Sequence, residues 1–323
     1  MISKVLVVMV TYNRKNLLKN ALESIFNQTK PVSGVLILDN ASNDGTEDVL
    51  QKFGFLSRDQ DINDGTFIKR SSGNTRLYYY RNSVNTGGAG GFSKAVELAK
   101  ELDYDYLWIM DDDVRPVENC LENLLTVAHD CNIGAVVPNR NCQNFEDYPT
   151  VELDLNSTFK YFMKKRKKKI YPPFSEKVYS IKTFAFEGPL IDMEIVKKVG
   201  IPRAEYFLLY DDTDYAQRIL QYTDILFVTS AYLERQLPVP KSKKNKKISY
   251  TWKDYYSIRN NMIFDREYGK TFGAKYISPR LMFIHLLINS IRGENRKNNL
   301  NIVLRAHRDA VSKKMGKRFD PNY

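Results

Sequence analysis

The feature that most limits what this chain can become is a repeated unit: a short unbroken apolar run, a polar turn, then apolar residues at helical spacing. Val5-Leu6-Val7-Val8-Met9-Val10 opens the series, and Leu17, Leu18, Ala21, Leu22, Ile25 and Phe26 follow it. Val35–Leu38 and Leu77–Tyr80 read as further strands, and a glycine-rich turn at 85–91 leads into a helix from about Phe92 to Leu102. Apolar runs without alternation suit parallel strands covered on both faces, and strand–helix alternation demands crossover connections. The expectation is therefore an α/β fold with a mostly parallel central sheet. The polar stretch from Phe53 to Thr75 reads as a surface insertion, and Ile133–Pro138 as one more strand.

The strand at Tyr106–Met110 ends in Asp111-Asp112-Asp113. Three adjacent carboxylates at a strand end are costly to assemble without a cation. An all-oxygen set suits Mg²⁺ or Mn²⁺, which commonly take remaining ligands from substrate phosphates. The bland alternative is a solvated acidic turn. A second aromatic-to-acidic junction, Glu205–Tyr215, carries Asp211, Asp212 and Asp214. One of these carboxylates would serve as a general base toward a substrate hydroxyl, whereas the structural alternative is that they only cap the helix carrying Arg218.

Other readings can be weighed on the same residues. Gly88-x-Gly90-x-x ends in Ser93 where a dinucleotide fingerprint needs glycine, and no G-x-x-x-x-G-K-[ST] loop exists. The excess of 49 basic over 38 acidic residues favours an anionic partner. The runs Lys164–Lys169 and Lys241–Lys247 are either solvated faces or attractors of anionic lipid, and the second would also serve as a lid over a diphosphate. Neither run is interleaved with aromatic residues, so nucleic acid is not expected. A basic nucleic-acid or membrane-surface binding module without catalysis nevertheless stands as the alternative function. The start of the chain lacks the pattern of a secretory leader, and Cys120, Cys131 and Cys142 form no C-x-x-C pair, so a cytosolic protein with reduced thiols is expected. After Pro238-Val239-Pro240, two helices are expected at Trp252–Tyr268 and Pro279–Arg292. The second is apolar on more than one face, which fits packing or shallow insertion at a membrane.

In order and spacing, VLVVMVTYNR (5–14), LILDNASNDGT (36–46), NTGGAGGF (85–92), the aspartate triplet and YDDTDY (210–215) resemble the inverting family-2 glycosyltransferases of GT-A fold. With the segment from Trp252 through Tyr255, Tyr256, Arg259 and Asn260, the chain looks most like bacterial galactofuranosyl- and rhamnosyltransferases of surface polysaccharide synthesis. The resemblance implies a catalytic domain over 1–237, with a nucleotide-sugar half to about 115 and an acceptor half beyond. It also implies a basic linker over 238–248 and a helical extension over 249–323. Thr11, Tyr12, Arg14, Asp39, Asn85 and Gly88 would hold the nucleotide-sugar, with Asp111 and Asp112 by the ribose and diphosphate. Asp113 would ligate Mg²⁺ or Mn²⁺ together with Asp111. Related enzymes often place a metal-binding histidine where this chain has Glu234, which would supply an oxygen instead. Asp212 would be the catalytic base, and Glu187, Gly188, Asp211 and Arg259 would line the acceptor side. The implied donor is UDP-galactofuranose or dTDP-rhamnose. The implied acceptor is a growing glycan on a polyprenyl diphosphate, at the inner membrane face, with peripheral contact to anionic lipid and room for a homo-oligomer.

Overall fold

The computed structural model describes residues 3–58, 62–140, 148–238 and 248–319. The first half runs β1 (Val5–Thr11), α1 (Lys15–Phe26), β2 (Gly34–Asp39), α2 (Thr46–Lys52), β3 (Phe67–Ser72), β4 (Thr75–Arg81), α3 (Gly87–Lys100), β5 (Tyr106–Asp111), β6 (Val114–Pro116) and α4 (Cys120–Asp130). Then come β7 (Ala135–Asn139), β8 (Thr150–Leu153), α5 (Met163–Arg166), β9 (Lys167–Lys169), β10 (Val178–Ile181), β11 (Leu190–Asp192), α6 (Met193–Val199), α7 (Asp211–Ile219) and β12 (Ile225–Arg235). Three helices follow: α8 (Trp252–Tyr268), α9 (Ser278–Arg292) and α10 (Arg296–Val311).

The main sheet has the order β10-β12-β7-β11-β5-β1-β2-β4-β3, with β6 on β12. Strands β5, β1, β2 and β4 are parallel, as their apolar runs require, and β7 and β12 pair parallel further along. Residues 67–72, expected as surface insertion, instead form the antiparallel edge strand β3. Only Phe67 and Ile68 are apolar there, because an edge strand buries little. The chain leaves β1 toward β2 and β4, then returns to place β5 on the other side of β1. That reversal opens a crevice at the carboxyl ends of β1 and β5, where open α/β sheets bind ligands. The register puts Val10 beside Asp111, Thr11 beside Asp39, and Asp39 beside Arg81 along one edge.

Two apolar clusters cover the sheet: α1 and α4 pack on one face, α3, α6 and α7 on the other. A third joins α8, α9 and α10 and takes in Phe207 from the segment before α7. Helix α10 was not expected, because only a narrow stripe (Ile302, Val303, Ala306 and Ala310) is apolar and buried in an otherwise polar segment. The expected linker lies, from residue 239 to 247 and with its whole lysine cluster, outside the described residues, as does Cys142. No helix among the described residues is long and apolar enough to cross a membrane.

Candidate functional site

At the crevice, Thr11 is buried and its hydroxyl donates to Asp112 Oδ2 at 2.8 Å, tying the ends of β1 and β5 together. Arg14 reaches the same place, with Nη1 at 2.9 Å from Asp112 and 3.2 Å from Asp113. Tyr12 is exposed beside them. Asp39 lies on the same edge but is fully buried: it accepts from the Ser42 amide at 2.8 Å, Tyr79 hydroxyl at 3.1 Å and Arg81 at 3.3 Å. It therefore shapes the turn after β2, and the structure does not bring its carboxylate to the crevice surface. Asn85 accepts from Asn40 and from the Gly87 amide, fixing the turn into α3. Among the turn glycines, Gly88 stands in open space, whereas a Cβ on Gly87 would lie 2.2 Å from the Phe207 carbonyl.

Asp111 and Asp113 meet a third carboxylate, Glu187; one oxygen from each lies within 4.8 Å of the others. Backbone pairing brings Glu187 there: the Gly188 amide donates to Ile109 at 2.8 Å and the Ile109 amide to Pro189 at 3.0 Å. Gly188 takes φ +88°, and Trp108 Nε1 donates to its carbonyl at 3.0 Å. Burial, then Asp113 and Glu187, push the Asp111 carboxyl well above its ordinary range; burial pushes Asp112 up to about 6 against the pull of Arg14. Asp113 Oδ1 is buried without a hydrogen-bond partner. A buried, unsatisfied oxygen among hard ligands fits Mg²⁺ or Mn²⁺. Glu187, expected on the acceptor side, thus also stands in the carboxylate group that could hold a metal.

Glu234 does not. It pairs with Arg115 at 3.2 Å on the outward face of β12. Strand parity is the reason: Ala231 and Leu233 point inward, Tyr232 and Glu234 outward, and Arg235 acts on Asp113 electrostatically.

Asp212 and Glu187 line one small cavity of about 60 Å³ with Arg140, Lys167 and Thr183. Arg140 is paired with Glu187. Asp212 is the second residue of α7, where a helix N-terminus favours a carboxylate, and one of its oxygens accepts from the Thr213 amide and hydroxyl. Burial nonetheless raises both Asp211 and Asp212, with Lys167 and Arg140 holding Asp212 down. Asp214, by contrast, is structural: it is fully buried and bonded to Tyr268 at 2.7 Å, Arg218 at 3.0 Å and Arg203 at 3.2 Å.

Two expectations need correction here. The run Lys164–Lys169 is not one solvated stripe: Arg166 is buried against Asp265 at 3.0 Å and Lys167 lines the Asp212 cavity. Arg259, expected to line the acceptor side, is turned into the fold. It is fully buried, donating to the carbonyls of Tyr206 and Gly316, both at 2.8 Å, between the rings of Tyr255 and Tyr256. Its neighbours matter for what precedes Asp211. Phe207, Leu209 and Tyr210 all take positive φ, at +64°, +66° and +75°, a conformation costing on the order of 1–3 kcal/mol per non-glycine residue.

The family profile described as Glycosyl transferase family 2 matches residues 6–187. A galactofuranosyltransferase of Mycolicibacterium smegmatis is 24% identical over 66% of this chain and 64% of its own length. An abequosyltransferase of Salmonella typhimurium is 36% identical over 36% of this chain and 30% of its own. The chain thus spans under two thirds of either relative. Among solved structures, a Pyrobaculum calidifontis mannosyltransferase in complex with GDP-Man and Mn²⁺ aligns at TM-score 0.54, with 17% identity over 97% of this chain and 76% of that one. S. aureus TarS in complex with UDP aligns at 0.56, with 13% identity over 96% of this chain and 87% of that one. At such identities the structural likeness speaks to the fold alone.

Proposed function

Because the chain belongs to glycosyl transferase family 2 and is a glycosyltransferase of GT-A fold, we propose that it moves a sugar from a nucleoside diphosphate donor to a glycan hydroxyl with inversion. The observation that carries this is the clustering of Asp111, Asp113 and Glu187 in the crevice, with Glu187 also lining the Asp212 cavity. Galactofuranose and rhamnose are the sugars of choice, from UDP and dTDP, and the acceptor is a polyprenyl-diphosphate-linked glycan of cell-surface polysaccharide.

In this reading Asp212 accepts the acceptor's hydroxyl proton as that oxygen bonds the anomeric carbon. The bond to the diphosphate oxygen breaks, and its electron pair departs with the diphosphate. Asp111, Asp113 and Glu187 would hold Mg²⁺ or Mn²⁺, which when bound supplies Lewis-acid neutralisation of that leaving charge. Arg14 holds Asp112 and Asp113 in place, and Arg140 holds Glu187. Lys167 favours the charged form of Asp212, partly offsetting the upward push of burial.

Peripheral contact with anionic membrane is supported by Ile277, Ile284, Ile288 and Ile291, exposed on and beside α9, near Arg280, Arg292 and Arg296. The family match speaks against a non-catalytic binding module, and Arg166 of its first basic run is spent on Asp265 inside the fold.

The test is a thermal melt with UDP, dTDP and GDP, with and without Mn²⁺, followed by turnover of UDP-galactofuranose and dTDP-rhamnose. Stabilisation by one nucleotide only in the presence of metal, lost in Asp113→Asn, is the expected result. No metal-dependent stabilisation by any nucleotide would sink the reading. Asp212→Asn should bind as before while turnover falls roughly 10²–10⁴-fold.

A further inference from the structure

The segment 206–210 enters the catalytic helix in an unfavourable backbone conformation, and something must hold it there. Helix α8 does so with three consecutive side chains. The Asn260 amide donates to the carbonyls of Leu208 and Leu209, each at 2.9 Å, and of Tyr206 at 3.2 Å. Its own oxygen accepts from Arg259 Nε at 2.8 Å, so the amide cannot turn over without losing bonds at both ends. Arg259 adds a second bond to Tyr206, and Asn261 Oδ1 accepts from the Tyr210 hydroxyl at 2.7 Å. Asn260 is fully buried, so water offers these carbonyls no substitute there.

The other side of the segment is held as well. The Ala89 amide at the start of α3 donates to the Phe207 carbonyl at 3.3 Å, and Gly87 lacks the Cβ that would strike that oxygen. The segment therefore bridges the glycine-rich turn of the donor half and the first turn of α7. Leu209, whose carbonyl Asn260 grips, is three residues before Asp212.

We infer that Asn260 is a positioning residue for Asp212: through three carbonyls it fixes the backbone that aims the base, which makes the C-terminal helices part of the catalytic apparatus. The inference rests on the proposed role of Asp212. A displacement near 1 Å costs on the order of 10²-fold in rate, so a modest relaxation of this segment is enough to matter.

The test uses the full chain with Asn260→Ala and, as a milder variant, Tyr210→Phe. Val303→Ala serves as control, since Val303 lies buried in the cluster of the C-terminal helices and its apolar side chain can donate no hydrogen bond to these carbonyls. Hydrogen exchange across 204–214, stabilisation by UDP with Mn²⁺, and donor turnover are measured together. In Asn260→Ala, protection should fall in 206–212, UDP–Mn²⁺ binding should persist, and kcat should drop roughly 10–100-fold at unchanged donor KM. Tyr210→Phe should show the same pattern, weaker. Val303→Ala should lower the melting temperature with kcat intact. Unchanged exchange in Asn260→Ala, or an equal kcat loss in Val303→Ala, overturns the inference. Full turnover in Asp212→Asn would instead remove the base assignment, and the exchange result would still report whether Asn260 orders the segment.

Discussion

Replacing Arg166 with methionine isolates one residue in a run of six basic ones and should cost far more than replacing its neighbours. Arg166 Nη2 lies 3.0 Å from Asp265 and 2.8 Å from the Ser278 hydroxyl, and Nη1 lies 2.8 Å from the Asp154 carbonyl. Both charged side chains are essentially excluded from water. Removing one partner of such a pair costs about 3–5 kcal/mol, because the other is left buried and uncompensated. For 323 residues the unfolding entropy is about 0.7 kcal/mol/K, so the melting temperature should fall by about 4–7 °C. Lys165→Met and Lys168→Met, on solvated side chains, should shift stability by no more than about 0.5 kcal/mol.

The pH dependence supplies a second sign. Burial pushes Asp265 up to about 6 against the pull of Arg166. Because the folded pKa lies above the unfolded one, the native state holds this proton longer, and this group's contribution to stability falls as pH rises from about 4 to 6. Without Arg166 the carboxyl rises further, and the fall continues to higher pH. The deficit of Arg166→Met should therefore be larger at pH 8 than at pH 5, as read by denaturant melts at both. Adding Asp265→Leu should recover most of it. A deficit matching Lys165→Met, or one that shrinks toward pH 8, would refute the buried-pair account.

Other outcomes follow from the same geometry. Glu187→Gln should abolish the nucleotide-induced, Mn²⁺-dependent melting shift, whereas Glu234→Gln should leave it intact; the reverse pattern would restore Glu234 to the metal set. Chelation by EDTA should erase that shift while leaving the melt of the nucleotide-free protein unchanged. In a profile of kcat/KM against pH, the acid limb should sit above the ordinary carboxylate range, because burial raises Asp212, and Lys167→Met should move it higher still. Gly87→Ala should cost stability by about 1–2 kcal/mol from the left-handed backbone alone. It should reduce turnover further by displacing Phe207. Ile284→Ser with Ile288→Ser should weaken sedimentation with phosphatidylglycerol vesicles without changing the melting temperature.

The parts of this protein that could be read from its sequence are those where one local pattern fixes one environment. Val5–Val10 and Val35–Leu38 are apolar at every position, so they had to be covered on both faces, and their parallel pairing and the acidic end of β5 followed. The misreadings arose where neighbouring residues of one kind meet different surroundings. Arg166 and Lys164 share a charge and a run, but only the fold brings Asp265 to one of them. Glu234 stands at a plausible offset in the chain, yet the alternation along β12 turns it outward and Arg235 inward, a parity visible in Ala231-Tyr232-Leu233. Glu187 lies 74 residues after Asp113 in the sequence, and antiparallel pairing of β11 with β5, a contact without local signature, carries it to the triplet. Arg259 follows two tyrosines and could be assigned a ligand only while its carbonyl partners were unknown.

The balance of charge at the crevice supports the proposal that a cation accompanies the donor. Asp111, Asp112, Asp113 and Glu187 bring four carboxylates together, and Arg14, Arg140 and Arg235 set three guanidiniums against them. Fully ionised, these groups sum to about one negative charge, a load that a partly solvated site can carry. A nucleoside diphosphate changes the sum, because its phosphates would approach a surface that is already negative. Arg14, through Nη1, and Arg140 are already paired with those carboxylates, which leaves less of their charge for the phosphates. On the proposed reading, Asp111, Asp113 and Glu187 would hold a divalent ion, which would offset that negative charge. On that reading, donor binding should therefore weaken when the metal is withdrawn, which the nucleotide melts with and without Mn²⁺ read directly.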